Sequence, residues 1–145
     1  MSDSPLSDPP ERDGIAIALD IEYLEFGDGG CCVGVTLNEK HLNKGGVAHG
    51  AMMTTLLDKA LGGALVSLLK KEEWCATAQL SVSFIDAGRS GERLLARGKV
   101  IRKGRGVAHL TGEVRAEDGR LIATGNGTWA IFGAKPRHYP GPENP

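Results

Sequence analysis

The sequence carries almost no net charge. Its 145 residues contain 17 Lys and Arg against 18 Asp and Glu, a formal net charge of −1. No block of like charge stands out, which excludes the electrostatic footprint of a nucleic-acid binder or a polybasic tail. Cysteine is scarce: Cys31, Cys32 and Cys75 are odd in number, and two of them are adjacent. With no CxxC or Cys/His ligand spacing beside them, no disulfide framework and no metal site is expected. Free thiols suit a reducing compartment, so the expected location is cytoplasmic. Two Trp, two Tyr and three Phe are few aromatics, and an aromatic-lined pocket is not evident from them. No phosphate-binding glycine motif of the P-loop or Rossmann type occurs. No internal repeat is found, and the polar, acidic start MSDSPLSDPPERDG has no apolar signal core.

One long apolar stretch is present, over residues 41–70, and the chain is organised around it. It opens as the glycine-broken loop HLNKGGVA and continues as a helix expected from about 49 to 70. Between residues 51 and 69 the only charged side chains are Asp58 and Lys59. A helix this apolar on every side must be buried in a core or a membrane. Each of the two charges would cost about 2.5–3.5 kcal/mol at the centre of a membrane span, and the following segments read as water-exposed strands, so a protein core is expected and no membrane. A carboxylate there must have partners, be protonated, or face a cavity.

Around this helix the periodicity is that of strands. Residues 1–13, with Pro5, Pro9 and Pro10 among Ser, Asp and Glu, read as a disordered tail. Residues 19–26 and 31–37 read as a hairpin across the turn 27–30. After the helix the period changes to 2, with strands over 76–85, 94–102, 107–116 and 121–132 read as a meander. The Asp118-Gly119 signal marks the last hairpin, and residues 134–145 read as a flexible, proline-rich tail. One domain over residues 14–133 follows, α+β in class, with a curved antiparallel sheet of about six strands around one long helix.

The loop Asn43-Lys44-Gly45-Gly46-Val47-Ala48-His49-Gly50, followed by an apolar helix with Asp58 two turns in, resembles the hotdog-fold acyl-CoA thioesterases, and more narrowly their PaaI-like, phenylacetate-degradation group. The matching positions are Asn43, Gly46, His49-Gly50 and Asp58, with a later Gly104-Arg105 turn. The resemblance covers about residues 15 to 132. It departs where many relatives have His-Gly-Gly and this chain has Ala51.

The resemblance implies hydrolysis of an acyl-CoA to a free acid and CoA, with no cofactor other than the CoA of the substrate. Asp58 would be general base or nucleophile. The N–H of Gly50, at the helix start, would polarise the carbonyl. Asn43, His49 and Thr77 would complete the catalytic set, and Gly46, Arg89, Arg102, Lys103 and Arg105 would meet CoA. Gly50 and Asp58 are eight residues apart, about 12 Å along a helix, too far to serve one carbonyl. The resemblance resolves this with a homodimer that shares its sites, and further implies a homotetramer. The acyl group stays open among small, medium and aryl types. Two other readings share the fold: a non-catalytic acyl-CoA sensor, and a dehydratase or hydratase, whose catalytic-histidine pattern is not found here.

Overall fold

The structure, a computed structural model, describes residues 8–138. The described chain runs α1 (Gly14–Ala18), β1 (Glu22–Gly27), β2 (Gly30–Thr36), a 3-10 turn (Glu39–His41), α2 (Gly50–Val66), β3 (Trp74–Phe84), β4 (Arg93–Lys103), β5 (Val107–Ala116) and β6 (Leu121–Phe132). The six strands form one sheet in the order β1-β2-β4-β5-β6-β3, antiparallel at every pairing. The sheet packs on α2, which touches all six strands. No helix among the described residues is long and apolar enough to cross a membrane.

Three expectations change. First, α2 ends at Val66 rather than near residue 70. Ser67 caps it: its hydroxyl donates to Ala64 O (2.7 Å) and accepts from Gly29 N–H (2.9 Å), tying the helix end to the β1–β2 turn. Second, β3 to β6 are not one meander. Only β4-β5-β6 is; β3 pairs with β6 at the far edge while β4 pairs with β2. The segment between β3 and β4 is too long for a tight hairpin, and it instead passes the start of α2, where Ala48 N–H bonds Gly88 O at 2.7 Å. Third, the stretch before β1 holds the short helix α1. Asp13 caps it by accepting from Ala16 N–H, and the same side chain pairs with Lys59 of α2. The expected tails over 1–13 and 134–145 lie partly outside the described residues.

Leu56, Leu57, Leu61 and Leu65 of α2 are fully buried against Val33, Leu94, Leu110 and Ile122 of the sheet. Burying each such side chain stabilises by about 1.5–3 kcal/mol. The helix lies very close to β4: a Cβ at Gly98 would stand 2.6 Å from Ala60 O. One stripe of α2 escapes the sheet. Ala51, Thr54, Thr55, Asp58, Lys59 and Gly62 are half-buried or exposed, and this is the side on which the site is built.

Candidate active site

Asp58 projects from α2 into a cleft of about 610 Å³, a volume suited to a small organic ligand. Its Oδ1 accepts the hydroxyl of Thr77 at 2.7 Å. The half-buried carboxylate therefore meets two of the three conditions set by its sequence: it has a partner and it faces a cavity. Lys59 does not neutralise it, because the ammonium is held by Asp13.

Thr77 reaches Asp58 through a bulge. In the β3–β6 pairing Thr77 stands opposite Trp129 and Gln79 opposite Thr128, so Ala78 is an extra residue. Without it, alternation would turn Thr77 to the outer face together with Gln79, Ser81 and Ser83. The extra residue reverses the parity, so that Thr77 shares the inner face with Leu80 and Val82.

The other end of α2 is built around His49 and Gly50. His49 is the N-cap; its Nδ1 accepts Ala51 N–H at 3.2 Å, and its carbonyl accepts Met52 N–H at 2.8 Å. The N–H of Gly50 finds no acceptor among the described residues, as the first amide of a helix that is left open to a ligand. A Cβ at Gly50 would stand 3.3 Å from the Phe84 ring, so this end of α2 meets the far end of β3. Asp58, by contrast, meets its beginning. One chain thus keeps the free amide and the carboxylate apart, as the eight-residue spacing requires.

Asn43 serves its own loop. Its side-chain oxygen accepts the N–H of Gly45 (2.8 Å) and of Val47 (3.4 Å). Gly46 holds a positive φ of 82°, a backbone state that favours glycine. His41, which has no evident chemistry in the sequence, is structural: it is 1% exposed, accepts Asn38 N–H through Nδ1 and donates through Nε2 to Leu19 O.

The basic residues expected near CoA do not form one cluster in the chain. Arg89 precedes β4, while Arg102, Lys103 and Arg105 lie at its other end. A strand of 11 residues separates them, about 35 Å when extended. A second bulge, between Val100 and Arg102, leaves Arg102 outward and turns Lys103 toward Glu73, 3.5 Å away.

The sequence offered no signal for the cleft's remaining walls. Both tryptophans line it with Tyr23, so three aromatics meet at the cleft, against the expectation drawn from composition. Trp74, Trp129 and Tyr23 are remote in sequence, and no spacing links them. Pro10 and Glu11 form another wall, held there by the Asp13–Lys59 pair. Cys75 also lines the cleft, but burial and the nearby Asp58 charge push its thiol up to about 11. It is protonated at neutral pH and unsuited as a nucleophile.

Comparisons with known proteins bear on the family and the fold. A candidate esterase of Deinococcus radiodurans is 35% identical over 120 residues, 82% of this chain and 80% of that one. A hypothetical thioesterase of Streptococcus pneumoniae, crystallised with coenzyme A, superposes with a TM-score of 0.76 at 25% identity, covering 83% of this chain and 94% of that one. The Escherichia coli PaaI protein of the phenylacetic acid degradation operon superposes with a TM-score of 0.80 over 86% of this chain and 88% of that one; at 23% identity this is a likeness of fold. The family model of the thioesterase superfamily matches residues 45–123, a stretch that holds Gly50, Asp58, Thr77 and strands β3 to β5, and the chain belongs to that superfamily.

Proposed function

We propose that the protein hydrolyses the thioester of a small or medium acyl-CoA, aryl groups included, as a homodimer whose sites are shared between subunits. The observation that carries this reading is the Asp58–Thr77 pair at a cleft of about 610 Å³, on the exposed stripe of an otherwise buried helix. Asp58 acts as general base or as nucleophile. As a base, held in position by the Thr77 hydroxyl, it takes a proton from a water while that water's oxygen bonds to the thioester carbon. The carbonyl oxygen gains negative charge at the open N–H of Gly50, in the manner of an oxyanion hole. The C–S bond then breaks, and the CoA sulfur leaves as a thiolate that takes up a proton.

Support for the dimer comes from β3. It is an edge strand with a largely exposed face, and unpaired edges invite a partner strand. An antiparallel pairing of β3 with its copy would bring the Asp58 end of one strand beside the Phe84 end of the other, where Gly50 packs. Asp58 and Thr77 of one chain then share a site with the partner subunit's Gly50. His49 and Asn43 shape the loop that delivers that amide. Arg89 and the Arg102, Lys103 and Arg105 group, far apart in one chain, are candidates for the CoA phosphates in the pair, and two such dimers make the tetramer. The CoA complex of the Streptococcus pneumoniae relative supports the substrate class. The same protein has been crystallised with an aspartate and with a threonine replaced by alanine, the two residue types that meet here. The free cysteines fit a cytoplasmic site of action.

The test is thiol release from a panel of acyl-CoA esters, acetyl through long-chain and phenylacetyl, with wild type beside Asp58→Asn. Wild type is expected to turn over at least one ester, and the variant to remain a dimer yet lose on the order of 10²-fold or more. Full activity in Asp58→Asn refutes the role of Asp58. Saturable binding of an ester without hydrolysis favours the sensor.

A further inference from the structure

We infer that Arg120 and Glu92 are positioning residues for the Gly50 amide: they clamp residues 87–89, and this segment fixes the start of α2. The role of that amide rests on the thioesterase reading above.

Residues 85–92 connect β3 to β4, two strands that do not pair. No ladder holds the middle of this connection, so its backbone groups need other partners. Arg120, just before β6, supplies one. Its Nη2 donates to Ala87 O (2.9 Å) and to both carboxylate oxygens of Glu92 (3.0 and 2.9 Å), and its Nε forms an ion pair with Asp86 (3.0 Å). Glu92 supplies another: its Oε1 accepts Arg89 N–H at 2.7 Å. The residues on either side of Gly88 are therefore both held, Ala87 by Arg120 and Arg89 by Glu92. Gly88 itself is buried. Its carbonyl accepts Ala48 N–H at 2.7 Å, and a Cβ on it would stand 2.9 Å from Leu37 and 3.4 Å from Ala48. His49, the next residue, is tied on its other side by its N–H to His41 O at 2.8 Å, and Gly50 follows it. The connection also begins at Gly50, because the Phe84 ring that ends β3 would meet a Cβ there at 3.3 Å.

The groups suit the task. A guanidinium is always charged and presents a rigid fork, so one side chain can hold a carbonyl and a carboxylate together. Arg115, on the same β5–β6 hairpin, is the contrast: it bonds Glu113 and Gly119 O, both of that hairpin. An amide that stabilises a developing oxyanion acts only at about 2.7–3.1 Å. Loosening its support should therefore lower kcat and leave KM nearly unmoved.

The experiment compares wild type, Arg120→Met, Arg120→Lys and Arg115→Met on the best ester of the panel, at a temperature where melting curves show all four folded. Arg120→Met should lose about 10- to 100-fold in kcat, as a misplacement on the order of 1 Å does, with KM within about threefold of wild type. Arg120→Lys keeps the charge without the fork and should fall between, and Arg115→Met should match wild type. A loss that falls on KM, or one that Arg115→Met shares, overturns the inference, as does unchanged kcat in Arg120→Met. Amide hydrogen exchange followed by NMR gives a readout apart from turnover. In Arg120→Met the Ala48 amide should exchange at least about tenfold faster, through local opening, while the amides of the β5–β6 ladder keep their rates. Unchanged exchange at Ala48 overturns the inference. If wild type hydrolyses no ester, the thioesterase reading falls, and exchange at Ala48 alone decides whether the clamp fixes the start of α2. Should Arg120→Met fail to fold, Glu92→Gln opens the same clamp from its other side and takes its place.

Discussion

Replacing Thr77 by valine removes one hydroxyl and keeps the shape of a β-branched residue on an edge strand. The lost contact is the 2.7 Å bond from Thr77 to Asp58. Hydrogen bonds to charged groups are worth about 1.5–3 kcal/mol, and each 1.36 kcal/mol is tenfold in rate. If that bond holds the carboxylate in its reactive position, kcat falls by about 10- to 100-fold. The thermal midpoint should change little, because Thr77 is exposed in the chain and valine suits a strand. The assay is continuous thiol release on the best ester of the panel. The informative comparison is the cycle with Asp58→Asn. Thr77 acts through Asp58, so adding Thr77→Val to Asp58→Asn should cost less than about threefold more. A double variant that loses the full product of the two single effects refutes the reasoning: Thr77 would then touch the reacting atoms independently of the carboxylate. Unchanged kcat in Thr77→Val refutes it more simply.

Three further outcomes follow. Gly63→Ala forces a methyl to within 2.6 Å of the Cys31 sulfur and should destabilise by about 1–3 kcal/mol in urea unfolding; adding Cys31→Ala should recover most of that loss, and no recovery would show that the contact is not the cause. Burial raises the Asp13 carboxyl, but its bonds to Lys59 and the Ala16 N–H outweigh this and hold it below 3.8. A depressed folded pKa gives stability that is present above the unfolded value and lost as pH falls through the folded one. Asp13→Asn keeps the cap on α1 and should lower stability at pH 7 by no more than about 1 kcal/mol, the pair being 58% exposed on the Asp13 side. Melting curves of the two proteins should converge well below pH 3.8, and a gap that persists there refutes the assignment. Finally, Cys75, with its thiol pushed up to about 11, should resist iodoacetamide at pH 8 in the native protein; rapid inactivation traced to Cys75 would refute both its protonation and its burial.

What could be read from the sequence was what local chemistry marks. Asp58 is conspicuous because a lone carboxylate in an apolar helix needs an explanation, and the strands show in their alternation. The eight-residue gap from Gly50 to Asp58 already implied that one chain cannot present both groups to one carbonyl. The sequence is silent on parity and on neighbours. Strict alternation sends Thr77 outward, and the one extra residue at Ala78 brings it to Asp58; nothing in ATAQLSVSF distinguishes the bulged reading from the regular one. The bulge after Val100 likewise decides which of Arg102 and Lys103 faces outward. The five-residue α1 is too short to show a period, and only the Asp13 cap betrays it. Strand order matters most. A local reading pairs β3 with β4, the next strand in the chain. In the structure β3 bonds only β6 and leaves an edge open. That strand touches Asp58 at its start and Gly50 at its end. It is therefore the spacer that divides the site within one chain, and its open edge is the surface on which the proposed dimer would join the halves.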